Sequence, residues 1–309
     1  MTEATPTPRR VLLAGASGTI GSAVLRRLQA EGHKVTAPGR AVLADREALA
    51  QLLAEAQPEV VISCIASRSG APKDAQAVDY QANMILLDAA QGAEAKHFIL
   101  LSAICVQKPL LAFQHAKLAF EAELVASGIG YTVIRPTAFF KSLSGQAKRV
   151  AAGKPFLIFG DGELTRCKPI SDDDLAFFIA GCIDDPKARG KVLPIGGPGP
   201  AISLKEQGEI LFRAAGEPPK FKSVSPRILT IAERILALGA PFSDWFAEKA
   251  EYARIARYYA TESMLVRDPV SGDYSADLTP EFGSETLEAH YRSLMRGQPP
   301  GYDRTTTLL

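Results

Sequence analysis

Gly15, Gly18 and Gly21 stand three residues apart, directly after the apolar run Arg10 to Ala14 and at the start of a segment with helical periodicity. Strand, glycine turn and helix in that order suit a dinucleotide. The first glycine permits a tight turn, the second lets backbone amides approach a pyrophosphate, and the third lets the helix pack on the sheet. The helix N-terminus then meets the phosphates with free N–H groups and partial positive charge. Gly15, Ser17, Gly18, Thr19, Ile20 and Gly21 are therefore the candidate phosphate-binding residues. After the second apolar run the chain reads Pro38-Gly39-Arg40. NAD-preferring sites carry an acid at this place for the ribose hydroxyls, whereas a guanidinium suits a 2′-phosphate. NADPH is the expected cofactor, and a solvated loop arginine is the plainer alternative for Arg40.

The glycine spacing resembles that of the short-chain dehydrogenase/reductase superfamily, whose usual acid/base device is Tyr-x-x-x-Lys on one helix face. There the lysine lowers the phenol pKa and holds the nicotinamide ribose. None of the eight tyrosines has a lysine four residues on. The expected helix instead reads Phe113-Gln114-His115-Ala116-Lys117. Phe113 cannot exchange a proton, so carbonyl reduction by the tyrosine route is not expected, while Lys117 can still bind ribose or donate a proton. A surface lysine lying along the helix is the alternative. Ser102, at the end of the preceding strand, is a candidate cofactor or substrate contact, or else a local cap. Asp45 resembles the acid that contacts adenine in extended superfamily members, and equally fits a helix N-cap before Arg46. Hydride delivery without a phenol suits an activated carbon–carbon double bond, whose transient carbanion can spread over a conjugated system.

Apolar runs at Arg10 to Ala14, Lys34 to Ala37, Val60 to Ile65, His97 to Ser102 and Tyr131 to Arg135 alternate with helical segments at Gly21 to Ala30, Arg46 to Glu55, Asp79 to Gln91 and Phe113 to Ala126. Short apolar strands separated by helices predict an α/β fold, a Rossmann doubly wound parallel sheet covered on both faces. Beyond Pro136 the alternation loosens into a helix near Gly145 to Ala152, an extended piece at Pro155 to Phe159, a helix at Asp172 to Cys182, a strand at Lys191 to Ile195 and a helix at Leu204 to Ala215. A helical tract from Pro226 to Ala260, broken near Gly239-Ala240-Pro241, follows. The expected organisation is a tail over 1–10, an NADP-binding domain over 11–140 and a smaller, mostly helical substrate part over 141–309, interleaved with the core and roofing the crevice at the strand ends.

Thirty-five Lys and Arg against 34 Asp and Glu, scattered along the chain, leave no basic stripe for nucleic acid. Cys64, Cys105, Cys167 and Cys182 lie far apart, so reduced thiols are expected rather than a zinc or iron–sulfur site. No metal site is expected, since Asp172-Asp173-Asp174 follows Ser171 where a helix start calls for a cap and acidic residues. Nor is a spanning helix: the nearest stretch, Ile228 to Phe242, contains Glu233 and Arg234.

Longer segments carry a closer resemblance. Leu101-Ser102-Ala103-Ile104-Cys105-Val106-Gln107-Lys108-Pro109-Leu110-Leu111, then Phe113-Gln114 and Ala116-Lys117-Leu118, resemble the NADPH-dependent 3,8-divinyl (proto)chlorophyllide 8-vinyl reductases. Phe159-Gly160-Asp161-Gly162, Cys167-Lys168-Pro169-Ile170-Ser171, Ile195-Gly196-Gly197-Pro198-Gly199, Glu206 to Phe212 and Arg257 to Met264 resemble that family in the same order. The likeness runs from Val11 to about Leu287. It implies reduction by NADPH of the 8-vinyl group of a magnesium tetrapyrrole, divinyl chlorophyllide or protochlorophyllide, to ethyl in chlorophyll or bacteriochlorophyll synthesis. It also implies cofactor contacts from Lys117 and Pro136 and substrate contacts from Phe113, Phe139, Phe140, Trp245 and Phe246, with core packing the alternative for Trp245 and Phe246 and for Phe242 beside them. His115 and Cys105 could be magnesium ligands or proton donors, with magnesium's preference for oxygen against them. Plant members carry a plastid-targeting extension and this chain has a ten-residue lead, so a bacterial cytoplasmic protein is expected, with weak peripheral membrane association suited to an apolar pigment. Two other readings belong to the same superfamily: a non-catalytic NADP-binding regulator or assembly factor, and an alkene reductase of the isoflavone-reductase kind.

Overall fold

The structure, a computed structural model, describes residues 7–297. In chain order, β1 (Arg10–Ala14), α1 (Thr19–Ala30), β2 (Lys34–Thr36), α2 (Arg40–Ala44), α3 (Arg46–Ala56) and β3 (Val60–Ser63) open the fold. A single helical rod follows, built from α4 (Pro72–Asp74), a π-helical stretch (Ala75–Gln81) and α5 (Ala82–Gly92). Then come β4 (His97–Leu101), α6 (Ala112–Ala126), β5 (Gly130–Pro136), α7 (Ala147–Ala151), β6 (Phe156–Phe159), β7 (Arg166–Cys167), α8 (Asp172–Gly181) and β8 (Lys191–Ile195). The rest is β9 (Ile202–Ser203), α9 (Leu204–Ala215), β10 (Phe221–Val224), α10 (Arg227–Gly239), α11 (Asp244–Thr261), β11 (Val266–Arg267), β12 (Tyr274–Ser275) and α12 (Leu287–Met295).

The main sheet has the order β2-β1-β3-β4-β5-β8, with every pair parallel. Parallel strands need crossovers, so helices cover both faces and the strands are apolar throughout: Val11, Leu12, Leu13 and Ala14 are all buried. Val11, Leu13, Ile62, Ile99 and Ile134 face α1 and α8. Leu12, Val61, Phe98, Leu100 and Val133 face α3, α5 and α6. The chain steps from β1 to β2 on one side and returns to place β3 on the other, so the strand order reverses at β1 and a crevice opens beyond the ends of β1 and β3.

The second half contributes β8 to the sheet and α8 to one of its faces, and it also builds a core of its own. Phe140, Val150, Phe156, Leu211, Phe212, Leu287 and Tyr291 pack together there, drawing α7, β6, α9 and α12 into one lobe. Parallel pairing of β6 with β10 closes that lobe. The tract from Pro226 to Ala260 forms two helices that pack on each other, α10 and α11. Phe246 fixes the bend between them: a Cβ on Gly239 would stand 2.5 Å from its ring.

Candidate active site at the carboxyl edge of the sheet

The glycine turn closes by backbone contact. Gly15 has φ +85°, and a Cβ there would lie 2.7 Å from the carbonyl oxygen of Cys64 at the end of β3. A Cβ on Gly21 would lie 2.1 Å from the oxygen of Gly15, which is why α1 can sit so close to the turn. Gly18 caps α1 without a side chain, so the first amides of the helix keep their capacity for an anion. Ser17 and Gly18 are exposed, Thr19 is half-buried and Ile20 and Gly21 are buried, which turns the open side of the loop toward solvent. Lys141, from the segment after β5, donates from Nζ to Thr19 Oγ1 at 2.6 Å. This cation at the turn is a feature the sequence spacing did not reveal. The backbone cradle, the uncapped amides and Lys141 together fit a dinucleotide pyrophosphate.

Arg40 is exposed and, instead of ending a strand in a loop, it is the first residue of α2 after Gly39. Among the described residues it has no ion-pair partner, which fits a guanidinium kept for a ligand phosphate. Asp45 is the N-cap of α3, its Oδ1 accepting from the amides of Glu47 at 3.0 Å and Ala48 at 3.1 Å. That duty accounts for the residue without an adenine contact.

Around α6 the charged groups are buried in pairs. The Lys117 ammonium donates to Asp79 Oδ1 at 2.9 Å, with the lysine side chain 10% exposed and the aspartate fully enclosed. Asp79 lies in the π-helical stretch, whose wider winding leaves backbone carbonyls free. The Asn83 amide takes two of them, those of Val78 and Asp79, while its own oxygen accepts from the Ser63 hydroxyl. Asp79 Oδ1 also accepts from the Ser67 amide at 3.3 Å, and its Oδ2 is buried without a partner. An orphaned carboxylate oxygen beside an ammonium is a receptor for a hydroxyl donor, and a nicotinamide ribose offers two. Lys117 is thus a buried ionic group, not a snorkelling one.

Ser102 donates to Glu121, which in turn holds Arg135 in a bidentate pair. Glu121 follows Lys117 by one helical turn on α6, so a second buried ion pair stands under the first. The Ser102 hydroxyl proton is committed to this carboxylate, which leaves its oxygen as an acceptor. Pro136 ends β5, buried and paired in register with Ile195. Burial pushes the Cys64 thiol up to about 12, against a smaller downward pull from Lys117, so this cysteine stays a neutral thiol.

The start of α6 is fixed from above. Gln114 is fully buried, its Oε1 accepting from the amides of Leu110 and Leu111 and its Nε2 donating to the Cys105 carbonyl. Glu251 of α11, also buried, accepts from the Ala112 amide at 3.0 Å and offsets the positive end of α6. Tyr258 of α11 donates to the Cys105 carbonyl at 2.9 Å. Phe113 lies in the same apolar contact set as Tyr252, Ile255 and Tyr258, and a Cβ on Gly70 would meet both the Phe113 and the Ile255 side chains. Phe113 therefore stands where α11 closes over the site.

The expected substrate contacts divide. Phe139 is half-buried against the sheet core and bridges to Ile170. Phe140 is 2% exposed and packs with the second-half lobe, its ring 5.3 Å from that of His290, so core packing replaces the expected substrate contact. Trp245 and Phe246 stack edge-to-face at 4.9 Å on the outer end of the α10–α11 pair, with Trp245 56% exposed. His115 is exposed, and Ser171 caps α8 by accepting from the Asp174 amide, which places Asp172, Asp173 and Asp174 in the first turn of that helix. Asp79, Glu121 and Arg135 were missed because their partners lie far off in sequence.

Residues 38–186 match a family described as NAD(P)H-binding. A chloroplastic divinyl chlorophyllide a 8-vinyl-reductase of Oryza sativa subsp. indica is 44% identical, over 94% of this chain and 80% of that protein. The chain belongs to the divinyl chlorophyllide a 8-vinyl-reductase family. A Zea mays member is 45% identical, over 93% of this chain and 79% of its own length. In fold, leucoanthocyanidin reductase from Vitis vinifera superposes with a TM-score of 0.66 at 17% identity, over 93% of this chain and 99% of that one. The vinyl-reductase relatives overturn the expected bacterial cytoplasmic location: four of them, at 43–50% identity, are chloroplastic proteins of plants. Among the described residues no helix is long and apolar enough to cross a membrane. The chain is a nicotinamide-dependent oxidoreductase of this family.

Proposed function

We propose that this protein reduces the 8-vinyl group of divinyl chlorophyllide a, or of divinyl protochlorophyllide, to ethyl with NADPH in chlorophyll or bacteriochlorophyll synthesis. The observation that carries the reading is the α6 site, where Phe113 replaces the expected phenol while Lys117 is held, buried, by Asp79. When bound, NADPH supplies a hydride. Gly15, Gly18, Gly21 and the α1 amides would hold its pyrophosphate, Arg40 its 2′-phosphate, and Lys117 with Asp79 its nicotinamide ribose.

Hydride addition to the terminal vinyl carbon leaves charge spread into the macrocycle, and one proton at the inner carbon completes the ethyl group. The substrate's conjugation does the work that a phenol does for a ketone, so a phenylalanine at position 113 is no handicap. Lys117, held beside the Asp79 carboxylate, would orient the ribose and pass a proton toward the site. Phe113 and α11 keep water from the reacting edge.

Purified protein with NADPH and divinyl chlorophyllide should show the blue shift of the Soret band that accompanies loss of one vinyl group. Binding of NADPH without any shift would sink the catalytic reading and favour a non-catalytic member of the superfamily.

A further inference from the structure

Ile228, Ile231, Ile235 and Leu238 recur along α10 at helical spacing, and Phe242 and Trp245 continue the row past its end. All six are exposed, Leu238 by 77% and Phe242 by 88%. No residue of α10 is buried, although its inner side packs on α11. Scattered exposed apolar residues are ordinary, whereas a row of four large ones along a single helix, continued by two aromatics past its end, is not.

The charges of α10 are sorted about this row. Arg227 and Arg234 are exposed; Arg227 precedes Ile231, and Arg234 precedes Leu238, by one helical turn, so both flank the apolar row. The only acid of α10, Glu233, is turned the other way, toward α11, where it accepts from Arg254 at 3.1 Å and Arg257 at 2.8 Å. Lys222 on β10, just before α10, is also exposed, and Lys249 sits over the Trp245 and Tyr252 rings. An apolar row, basic flanks, an acid withdrawn to the opposite side and aromatics at one end make the pattern of a helix lying in a lipid–water interface. The 13 residues of α10 span about 20 Å, too short for the ~30 Å hydrocarbon core, so the helix would lie in the plane of the surface.

We propose that α10, with Phe242 and Trp245, docks this protein onto the surface of an anionic bilayer. The charge distribution selects a negatively charged lipid surface over a second copy of the chain, which would set the arginines against each other across a two-fold axis. α11 packs on α10 and also on Phe113 over the site, so docking through α10 sets the helix that covers the site next to the lipid surface.

Trp245 is the sole tryptophan and so reports directly on this face. The full chain should co-sediment with phosphatidylcholine vesicles containing phosphatidylglycerol, and its fluorescence should shift to the blue as Trp245 leaves water. Leu238→Asp, at an exposed position that leaves the fold intact by circular dichroism, should weaken vesicle binding by about tenfold or more. Arg227→Gln and Arg234→Gln should each weaken binding to the anionic vesicles roughly fivefold and leave binding to pure phosphatidylcholine unchanged.

The proposal would be overturned by no binding to anionic vesicles, by binding that Leu238→Asp leaves intact, or by a dimer in sedimentation that Leu238→Asp dissociates. A Trp245 shift on adding divinyl chlorophyllide but not lipid would do the same, by giving the row to the substrate. The vesicle assay contains neither pigment nor NADPH, so its outcome is independent of the proposed reduction.

Discussion

The sheet half of the site and the α10–α11 pair are built from opposite materials. At the sheet edge, the proposed site consists of backbone that no side chain can enter and of charges withdrawn from water: Gly15 and Gly21 in contact with carbonyls, Lys117 enclosed with Asp79, Ser102 and Arg135 packed with Glu121. On α10 the apolar groups face outward and the charges stand beside them. The difference matches the partner proposed for each region. A dinucleotide needs preformed amides and fixed ions, because ordering them at the moment of binding would cost affinity. A surface-seeking helix needs area that water is released from, and it can wait exposed until a partner arrives.

If this contrast is right, the largest effect comes from the tightest backbone contact. Gly21→Ala would put a Cβ 2.1 Å from the Gly15 oxygen. It should abolish NADPH binding in a fluorescence titration and cost on the order of 3 kcal/mol in denaturant unfolding. An alanine variant that binds normally would break the account of the turn.

Removing the enclosed cation comes next. Lys117→Ala should lower kcat about a hundredfold and also destabilise the fold by on the order of 3 kcal/mol, because Asp79 is left as a buried, unpaired carboxylate. Unaltered turnover and cofactor affinity would refute its role. Restoring stability but not turnover with Asp79→Asn in the Lys117→Ala background would separate the two duties.

Acid should distinguish the regions as well. His97, at the start of β4, is fully buried, and desolvation lowers its pKa to about 4 from the usual 6.5. The unfolded chain therefore binds a proton near pH 6.5 that the folded chain refuses until about pH 4. Stability should be full above 6.5 and fall between these values, by about 3 kcal/mol from this group at most. The α10–α11 pair contains no histidine. His97→Gln should reduce the slope of stability against pH while His290, which burial also lowers to about 4, keeps part of it, and a slope unchanged by His97→Gln would remove His97 from the account.

The smallest effect belongs to the exposed arginine of the sheet half. Arg40→Ala should raise the KM for NADPH about tenfold and leave that for NADH nearly unchanged, with stability unaffected. Equal changes for both cofactors would remove Arg40 from 2′-phosphate recognition.

Much of this was readable along the chain. The strands at Arg10–Ala14 and Lys191–Ile195 and the helix at Leu204–Ala215 coincide with the expected ones, and the break near Gly239 falls where the helical tract divides. Burial on both faces imprints continuous apolar runs, and helices imprint their period, so these elements announce themselves locally. The turn at Arg40 was harder. A five-residue helix leaves too short a pattern to tell from a loop, and there the expected loop is α2. β10, paired with β6, and α12 also escaped notice, since what defines each is a partner far away in the chain.

The sequence by itself determined the glycine turn between strand and helix, the absence of a tyrosine at Phe113, and the presence of Lys117 four residues on, because each depends on residue types within one turn of backbone. The family resemblance of its segments was equally present in the chain. Only the tertiary structure decided that Lys117 faces Asp79, that Ser102 is spent on Glu121, that Phe140 is core, and that the row along α10 is left in water. Those are statements about which distant surfaces meet. Helical periodicity specifies that α10 has an apolar face, but not whether the rest of the chain covers it.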